Sequence, residues 1–257
     1  MNPKTPFIED GVTLIKRSEG NNFELYNTTD PKAYNLLVAL DDKEIDGKKV
    51  KIPNKGQVLN TLQVFWLKDS FKDFPNYIVH CGKNIFRSLP LYSDIYPFDL
   101  PKRAMVVKRL RFVKIRFSLI SDDNFVYNIE YLDKKNQSQF IGLVNPFDLE
   151  VKPSLVLCLK RGQKEKINLA VKAFAAMSKY LRRNHLVVRS LSLRIGVSAR
   201  KGLFLMGEDF NDTQLSLVVG GKIFAPKDFQ TEAEYLDFFQ KITKHTLGEY
   251  QRVYMDC

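Results

Sequence analysis

The hydrophobic pattern changes character near residue 100. Before it, apolar runs are short and broken by polar loops: Tyr34 to Leu40, Val58 to Leu67, and Tyr77 to His80. Ser88 to Pro101 contains three prolines and reads as an extended connector, because proline lacks an N–H and disfavours helix in the residue before it. From residue 104 the period becomes two, the period of a strand. Arg109-Leu110-Arg111-Phe112 alternates charged and apolar residues, and Val113 to Leu119 alternates in the opposite phase. A β-bulge produces such a one-residue slip. A bulge here predicts that Arg109, Arg111, Lys114 and Arg116 share one face. Ser121-Asp122-Asp123-Asn124 is turn chemistry. Phe125, Tyr127, Ile129 and Tyr131 then alternate in a second strand, and Phe140 to Val144 forms a third after the polar turn Asp133 to Gln139. The three read as an antiparallel meander.

After a strand at Leu155 to Leu159 the period becomes helical. Ile167, Ala170, Val171, Phe174, Met177, Ser178 and Leu181 recur at three- and four-residue spacing, which places them on one stripe. Leu191, Leu193, Ile195 and Val197 alternate with Ser190, Ser192, Arg194 and Gly196, a further strand. Leu215 to Phe224 reads as a hairpin turning at Gly220-Gly221. Thr231-Glu232-Ala233-Glu234 is a capping box that opens a second helix, expected to stop near Gly248. The predicted class is α+β: an antiparallel β-rich core with at least two amphipathic helices, at about 164–184 and 232–246.

The chain has 257 residues, 44% of them hydrophobic and 27% charged. This supports a sizeable core and excludes a disordered chain or a disulfide-dense mini-protein. No window approaches 18 uncharged apolar residues, so no membrane-spanning helix is expected. The first ten residues lack the apolar stretch of a secretory signal. Cys81, Cys158 and Cys257 lie far apart and cannot all pair, which points to reduced thiols in a cytosolic or nuclear compartment.

Charge adds the next distinction. Forty Lys and Arg against 29 Asp and Glu leave +11. Residues 1–100 hold 13 basic and 13 acidic side chains, whereas 101–257 hold 27 and 16 and supply the whole excess. This suggests a charge-balanced N-terminal region, 1–100, and a basic β-rich region with two helices, 101–257, in a chain also short enough for one continuous domain. Residues 152–201 carry 13 basic residues and only Glu165, while 202–257 return to −4, from five basic and nine acidic. On a helix at about 100° per residue, Lys164, Lys172, Lys179, Arg182 and Arg183 fall on one arc.

A segregated positive field favours polyanions. The reading that follows is a non-enzymatic nucleic-acid-binding protein that holds single-stranded RNA or DNA through its phosphates. Its expected contacts are Arg109, Arg111, Lys114, Arg116, Lys160, Arg161, Lys164, Lys172, Lys179, Arg182, Arg183, Arg189, Arg194, Arg200 and Lys201. Among nearby aromatics, Tyr180 lies off the main stripe and is the candidate for stacking on a base. An alternative from another class is a peripheral membrane or assembly protein of viral matrix or movement type, docked on anionic lipid. The acidic tail makes homo-oligomer contacts with a basic region conceivable.

Catalytic motifs are absent from the pattern. Gly220-Gly221-Lys222 lacks the rest of a phosphate-binding loop, and Ser198-Ala199-Arg200-Lys201 lacks companion motifs. His80 and Cys81 are adjacent, but no ligand spacing surrounds them, so neither metal nor cofactor is expected. A third reading, a metal-dependent nuclease, rests on Asp148-Leu149-Glu150-Val151-Lys152 with Asp122 or Asp133; its plainer interpretation is a solvated turn between Pro146 and Pro153.

Overall fold

Antiparallel pairing organises the chain, as the alternating segments require. The computed structural model describes residues 14–19, 22–28, 34–87, 100–132, 137–148, 150–155, 161–199, 202–206 and 215–255. Its elements are β1 (Leu14–Glu19), β2 (Phe23–Thr28), β3 (Tyr34–Ala39), β4 (Asp42–Ile45), β5 (Lys48–Lys51), α1 (Lys55–Val64), β6 (Ile78–Cys81), α2 (Leu100–Arg103) and β7 (Ala104–Lys108). There follow β8 (Arg111–Ser121), β9 (Val126–Leu132), β10 (Ser138–Val144), β11 (Ser154–Leu155), α3 (Arg161–Arg183) and β12 (Val187–Val197). The chain closes with β13 (Leu203–Met206), β14 (Leu215–Val219), β15 (Lys222–Phe224), α4 (Glu232–Thr243) and α5 (Leu247–Tyr254). The fold is α+β with antiparallel sheets, as the sequence pattern predicts.

The chain divides into two compact units, the first formed by 1–64, 78–109 and 230–257, the second by 65–77 and 110–229. Unit 1 contains the sheet β1-β2-β3-β7-β6 and the hairpin β4-β5. Leu36, Ile85, Leu100, Ala104 and Val106 form one of its cores, with Tyr26, Tyr34, Val38 and Val79 packed against them. Nine of the ten residues of α1 are buried, so its polar side chains must be satisfied internally. Asn60 Nδ2 donates to the carbonyls of Lys102 and Ala104, at 3.0 and 3.3 Å. Thr61 Oγ1 accepts from Gln251 Nε2 of α5 at 3.1 Å. Lys55 is fully buried, and its Nζ donates to Asn22 Oδ1 at 2.7 Å, Asp42 O at 2.9 Å and Leu40 O at 3.4 Å.

The capping box that opens α4 forms: Thr231 accepts from the Glu234 backbone and the Glu234 side chain returns to the Thr231 N–H. The helix ends earlier than expected, at Lys244, whose φ of 66° is left-handed. A second capping box, Thr246 with Glu249, then starts α5, and Gly248 lies inside that helix.

Unit 2 is built on the sheet β11-β10-β9-β8-β12-β14-β15, with β13 also pairing with β12. Helix α3 packs on β8 and β12. Phe174 stacks on Phe117 with centroids 4.2 Å apart and meets Tyr127 edge-on at 4.8 Å. Burial pushes the Tyr127 phenol well above its ordinary range, and its hydroxyl donates to Val188 O at 2.6 Å. Gly220 and Gly221 turn the β14-β15 hairpin at φ of 56° and 78°, the two successive positive values of a type I′ turn.

Candidate functional site

The expected bulge at Phe112–Val113 does not exist. Strands β8 and β12 pair without interruption, Arg111 opposite Val197 through to Ser118 opposite Ser190. Phe112 therefore stays in phase with Lys114, Arg116 and Ser118, and Arg111 points to the other face. The exposed Phe112 ring is covered by the Arg194 guanidinium at 4.7 Å, so an aromatic residue occupies a position on the charged face that the bulge was expected to fill with arginine. Arg109 precedes β8, belongs to unit 1 and donates through Nε to Asn35 Oδ1 at 3.2 Å.

Residues directly opposite in an antiparallel pair project from the same face, and this builds a polar surface on the side of the sheet away from Phe117 and α3. One cross-strand row holds Arg194 and Lys114, flanked by Met206 and Leu132. The next holds Ser192, Arg116 and Glu130. A third runs Ser216, Ser190, Ser118 and Asn128 over four strands. Beyond the cationic row, a Cβ on Gly196 would meet Leu110 Cδ1 at 2.5 Å and Met206 Sδ at 3.0 Å, so Leu110 fills that end.

Arg194, Lys114 and Arg116 are all partly buried. Arg116 faces Glu130 Oε2 at 3.6 Å, and Glu130 Oε1 accepts from Asn128 Nδ2 at 3.3 Å. Among the described residues of these rows three cations stand with one carboxylate, and on such a partly buried face charge-assisted hydrogen bonds to an anion are stronger than in open solvent. Such a face can hold a phosphate and orient groups attached to it. Among the described residues, no cluster of three or more His, Cys, Asp or Glu could hold a metal ion.

The remaining expected contacts are not gathered there. Lys164, Lys172, Lys179, Arg182 and Arg183 are exposed along α3. Arg182 lies between Phe125 and Phe147, 4.3 and 4.4 Å from their rings, and Arg161 pairs with Glu165 at 3.3 Å. Arg189 is exposed at the register shift where β12 meets β14. Lys160, Arg200 and Lys201 lie outside the described residues.

Tyr180 is no base-stacking platform. It meets Phe65 and Trp66 edge-on, at 5.6 and 5.5 Å, and burial raises its phenol above the ordinary range. In the candidate nuclease motif, Glu150 pairs with Lys152 and both are exposed, as the solvated-turn reading requires. Asp133 and Leu149 lie outside the described residues.

Asn128, Glu130, Ser118, Ser190, Ser192 and Ser216 complete the face and were not singled out from the sequence. The alternation of Ser190, Ser192 and Arg194 carries part of the signal. The partners of those strands are set by pairings remote in sequence.

No protein-family model matches the chain, and no curated protein matches it. Solved structures do. A SAICAR synthase shares 16% identity, with 91% of this chain and 96% of that chain covered, at a TM-score of 0.61. The SAICAR synthase of Saccharomyces cerevisiae complexed with SAICAR shares 15%, covers 91% and 96%, and gives 0.59. A type-2 SAICAR synthetase in complex with ADP shares 12%, covers 89% and 98%, and gives 0.61. At these identities the likeness is one of fold, spanning nearly the whole of each chain.

These neighbours overturn the function expected from charge. A chain folded throughout like enzymes solved with ADP or SAICAR is not read as a single-strand-binding, viral matrix or movement protein, nor as a nuclease. A segregated positive field reports the sign of a partner but not its size. The partners expected from it, nucleic acid and anionic membrane, are withdrawn with that reading. Among the described residues no helix is long and apolar enough to cross a membrane.

Proposed function

We propose that this protein is an enzyme of SAICAR-synthase type that binds a phosphorylated small molecule on the polar face of the unit 2 sheet. The observation that carries the proposal is the convergence of Lys114, Arg116 and Arg194 on one partly buried face beside Glu130 and Asn128. The fold shared with enzymes solved with ADP and with SAICAR supports it.

One neighbour is the phosphoribosylaminoimidazole-succinocarboxamide synthase of Ehrlichia chaffeensis, and its name suggests the chemistry. The carboxamide joins an imidazole carboxylate to the nitrogen of an aminosuccinate, which is aspartate. A carboxylate becomes reactive toward an amine when its oxygen takes a phosphoryl group from a nucleoside triphosphate, releasing the diphosphate. Attack by the amine then forms the C–N bond, the C–O bond breaks, inorganic phosphate leaves and the nitrogen loses its extra proton to solvent. In this chain, Lys114, Arg116 and Arg194 serve as donors to phosphoryl oxygens, which concentrate negative charge in the two phosphorylated substrates and in the transfer step. The experiment is titration with ADP followed by calorimetry. Binding that weakens in Lys114→Gln and Arg194→Gln but not in Lys172→Gln supports the reading, and ADP binding indifferent to the two sheet substitutions refutes it.

A further inference from the structure

The chain has three cysteines, and the fold sorts them. Cys81 ends β6 and is partly exposed. Cys257 falls in the same compact unit as Cys81, and Cys158 in the other. Cys158 and Cys257 lie outside the described residues, yet the backbone two residues before Cys257 is firmly placed. Met255 closes α5 and is buried. The same helix is anchored by Gln251, whose Nε2 donates to Thr61 of the buried α1 at 3.1 Å. Met255 then crosses Gly82, the residue after Cys81. A Cβ on Gly82 would lie 1.9 Å from the Met255 carbonyl oxygen and 3.3 Å from its Cα. Adding one C–C bond puts the two Cα atoms within about 5 Å of each other, an approach that only glycine permits. Cys81 is one residue from this crossing and Cys257 two. Two residues of chain span at most about 7 Å, and a disulfide needs Cα atoms about 4.4–6.8 Å apart. The crossing therefore leaves this pair within bonding reach.

We propose that Cys81 and Cys257 are a redox modification site, forming a reversible disulfide that staples the end of α5 to β6 under a glutathione-type couple. The Cys81 thiolate attacks one sulfur of glutathione disulfide, whose S–S bond breaks and releases a glutathione thiolate. The Cys257 thiolate then attacks the Cys81 sulfur, the mixed disulfide breaks, and the second glutathione leaves. The two protons shed by the protein thiols pass to the two glutathione thiolates. The protein loses two electrons and glutathione disulfide gains them. Under a reducing poise the reverse exchange restores both thiols. Cys158, in the other unit, stays a thiol throughout. The bond closes most of the chain into one loop, and cross-links over long loops stabilise most.

The test is equilibration of the full chain with glutathione at several ratios of its reduced and oxidised forms, then acid quenching, alkylation and tryptic mapping by mass spectrometry. Cleavage after Lys72, Lys83 and Arg252 puts Cys81 on peptide 73–83 and Cys257 on peptide 253–257. The expected result is those two peptides joined, with Cys158 alkylated. The melting temperature rises by about 5–15 °C over the dithiothreitol-treated chain. Cys81→Ser and Cys257→Ser each abolish that rise, and Cys158→Ser retains it. Gly82→Ala, whose Cβ displaces the Met255 carbonyl, lowers the joined fraction at a fixed glutathione ratio. A link through Cys158, glutathione adducts without the link, a link only between two chains, or alkylation of all three thiols at the most oxidising ratio overturns the proposal. So does a joined fraction indifferent to Gly82→Ala. None of these outcomes bears on ADP binding at the unit 2 sheet.

Discussion

Replacing Arg194 by Gln separates a ligand-binding role from a scaffolding one, because the structure assigns the two roles different magnitudes. In the free protein Arg194 stands directly opposite Lys114, and like charges so placed oppose strand pairing by about 0.2–1 kcal/mol. Its guanidinium also covers Phe112 at 4.7 Å, a cation–π contact worth about 0.5–2 kcal/mol on a partly desolvated surface. Arg194→Gln relieves the first and loses the second, so stability shifts by less than about 2 kcal/mol, at most about 4–8 °C in melting temperature for a chain of this size. Hydrogen bonds from the guanidinium to a charged phosphate are worth about 1.5–3 kcal/mol, so ADP affinity falls about 10- to 150-fold. Calorimetry with ADP at fixed salt reads the affinity, and a urea melt of the same preparation reads the stability. An unchanged ADP affinity, or a stability loss of several kcal/mol, would refute the reasoning.

Further outcomes follow from packing and from titration. Phe174→Ala removes a ring stacked on Phe117 and packed against Tyr127, and costs about 3–5 kcal/mol in a urea melt. Gly82→Ala places a Cβ 1.9 Å from the Met255 carbonyl oxygen at a φ of +57°; proteolysis at the C-terminal end should accelerate while Gly47→Ala, with open space around its Cβ, shows only the cost of its own positive φ. Lys55→Met strands three oxygens that the buried ammonium satisfies, each worth about 1–3 kcal/mol, and a folded variant of wild-type stability would contradict that. The Glu234 carboxyl is held below its ordinary range by the Gln230 backbone N–H and then by Thr231, and Glu249 likewise by Thr246. Both are therefore more fully ionised when folded. Their contribution is present above the unfolded value of about 4.3 and is lost as pH falls through the folded value, so the melting temperature should drop between about pH 5 and pH 3, less steeply in the Thr231→Ala, Thr246→Ala double variant.

Local signals carried much of the fold. Helix α3 was legible because its apolar stripe faces one sheet, and α4 because Thr231 and Glu234 form a box within four residues. The Gly220-Gly221 turn announced its hairpin by the same kind of short-range chemistry. Helix α1 was not legible: it is buried almost all round, and Asn60, Thr61 and Gln63 sit inside rather than on a solvent face, which erases the helical period. Gly248 was mistaken for a stop because Lys244 takes the left-handed position that glycine usually fills. The site lay further from reach. Lys114, Arg116 and Arg194 stood out as cations, but their meeting depends on β8 pairing with β12 across some 80 residues of chain. Glu130 and Asn128 enter the same face only through β9. The misplaced bulge had a local cause, since Phe112 looks like a core residue in sequence and is instead an exposed ring under Arg194.

The most direct test of the proposed function is incubation of the purified protein with ATP, aspartate and the phosphoribosylated aminoimidazole carboxylate, with products read by mass spectrometry. The account predicts the succinocarboxamide together with ADP and inorganic phosphate in equal amounts, at rates that fall in Lys114→Gln and Arg194→Gln. No succinocarboxamide from a preparation shown to bind ADP would contradict it.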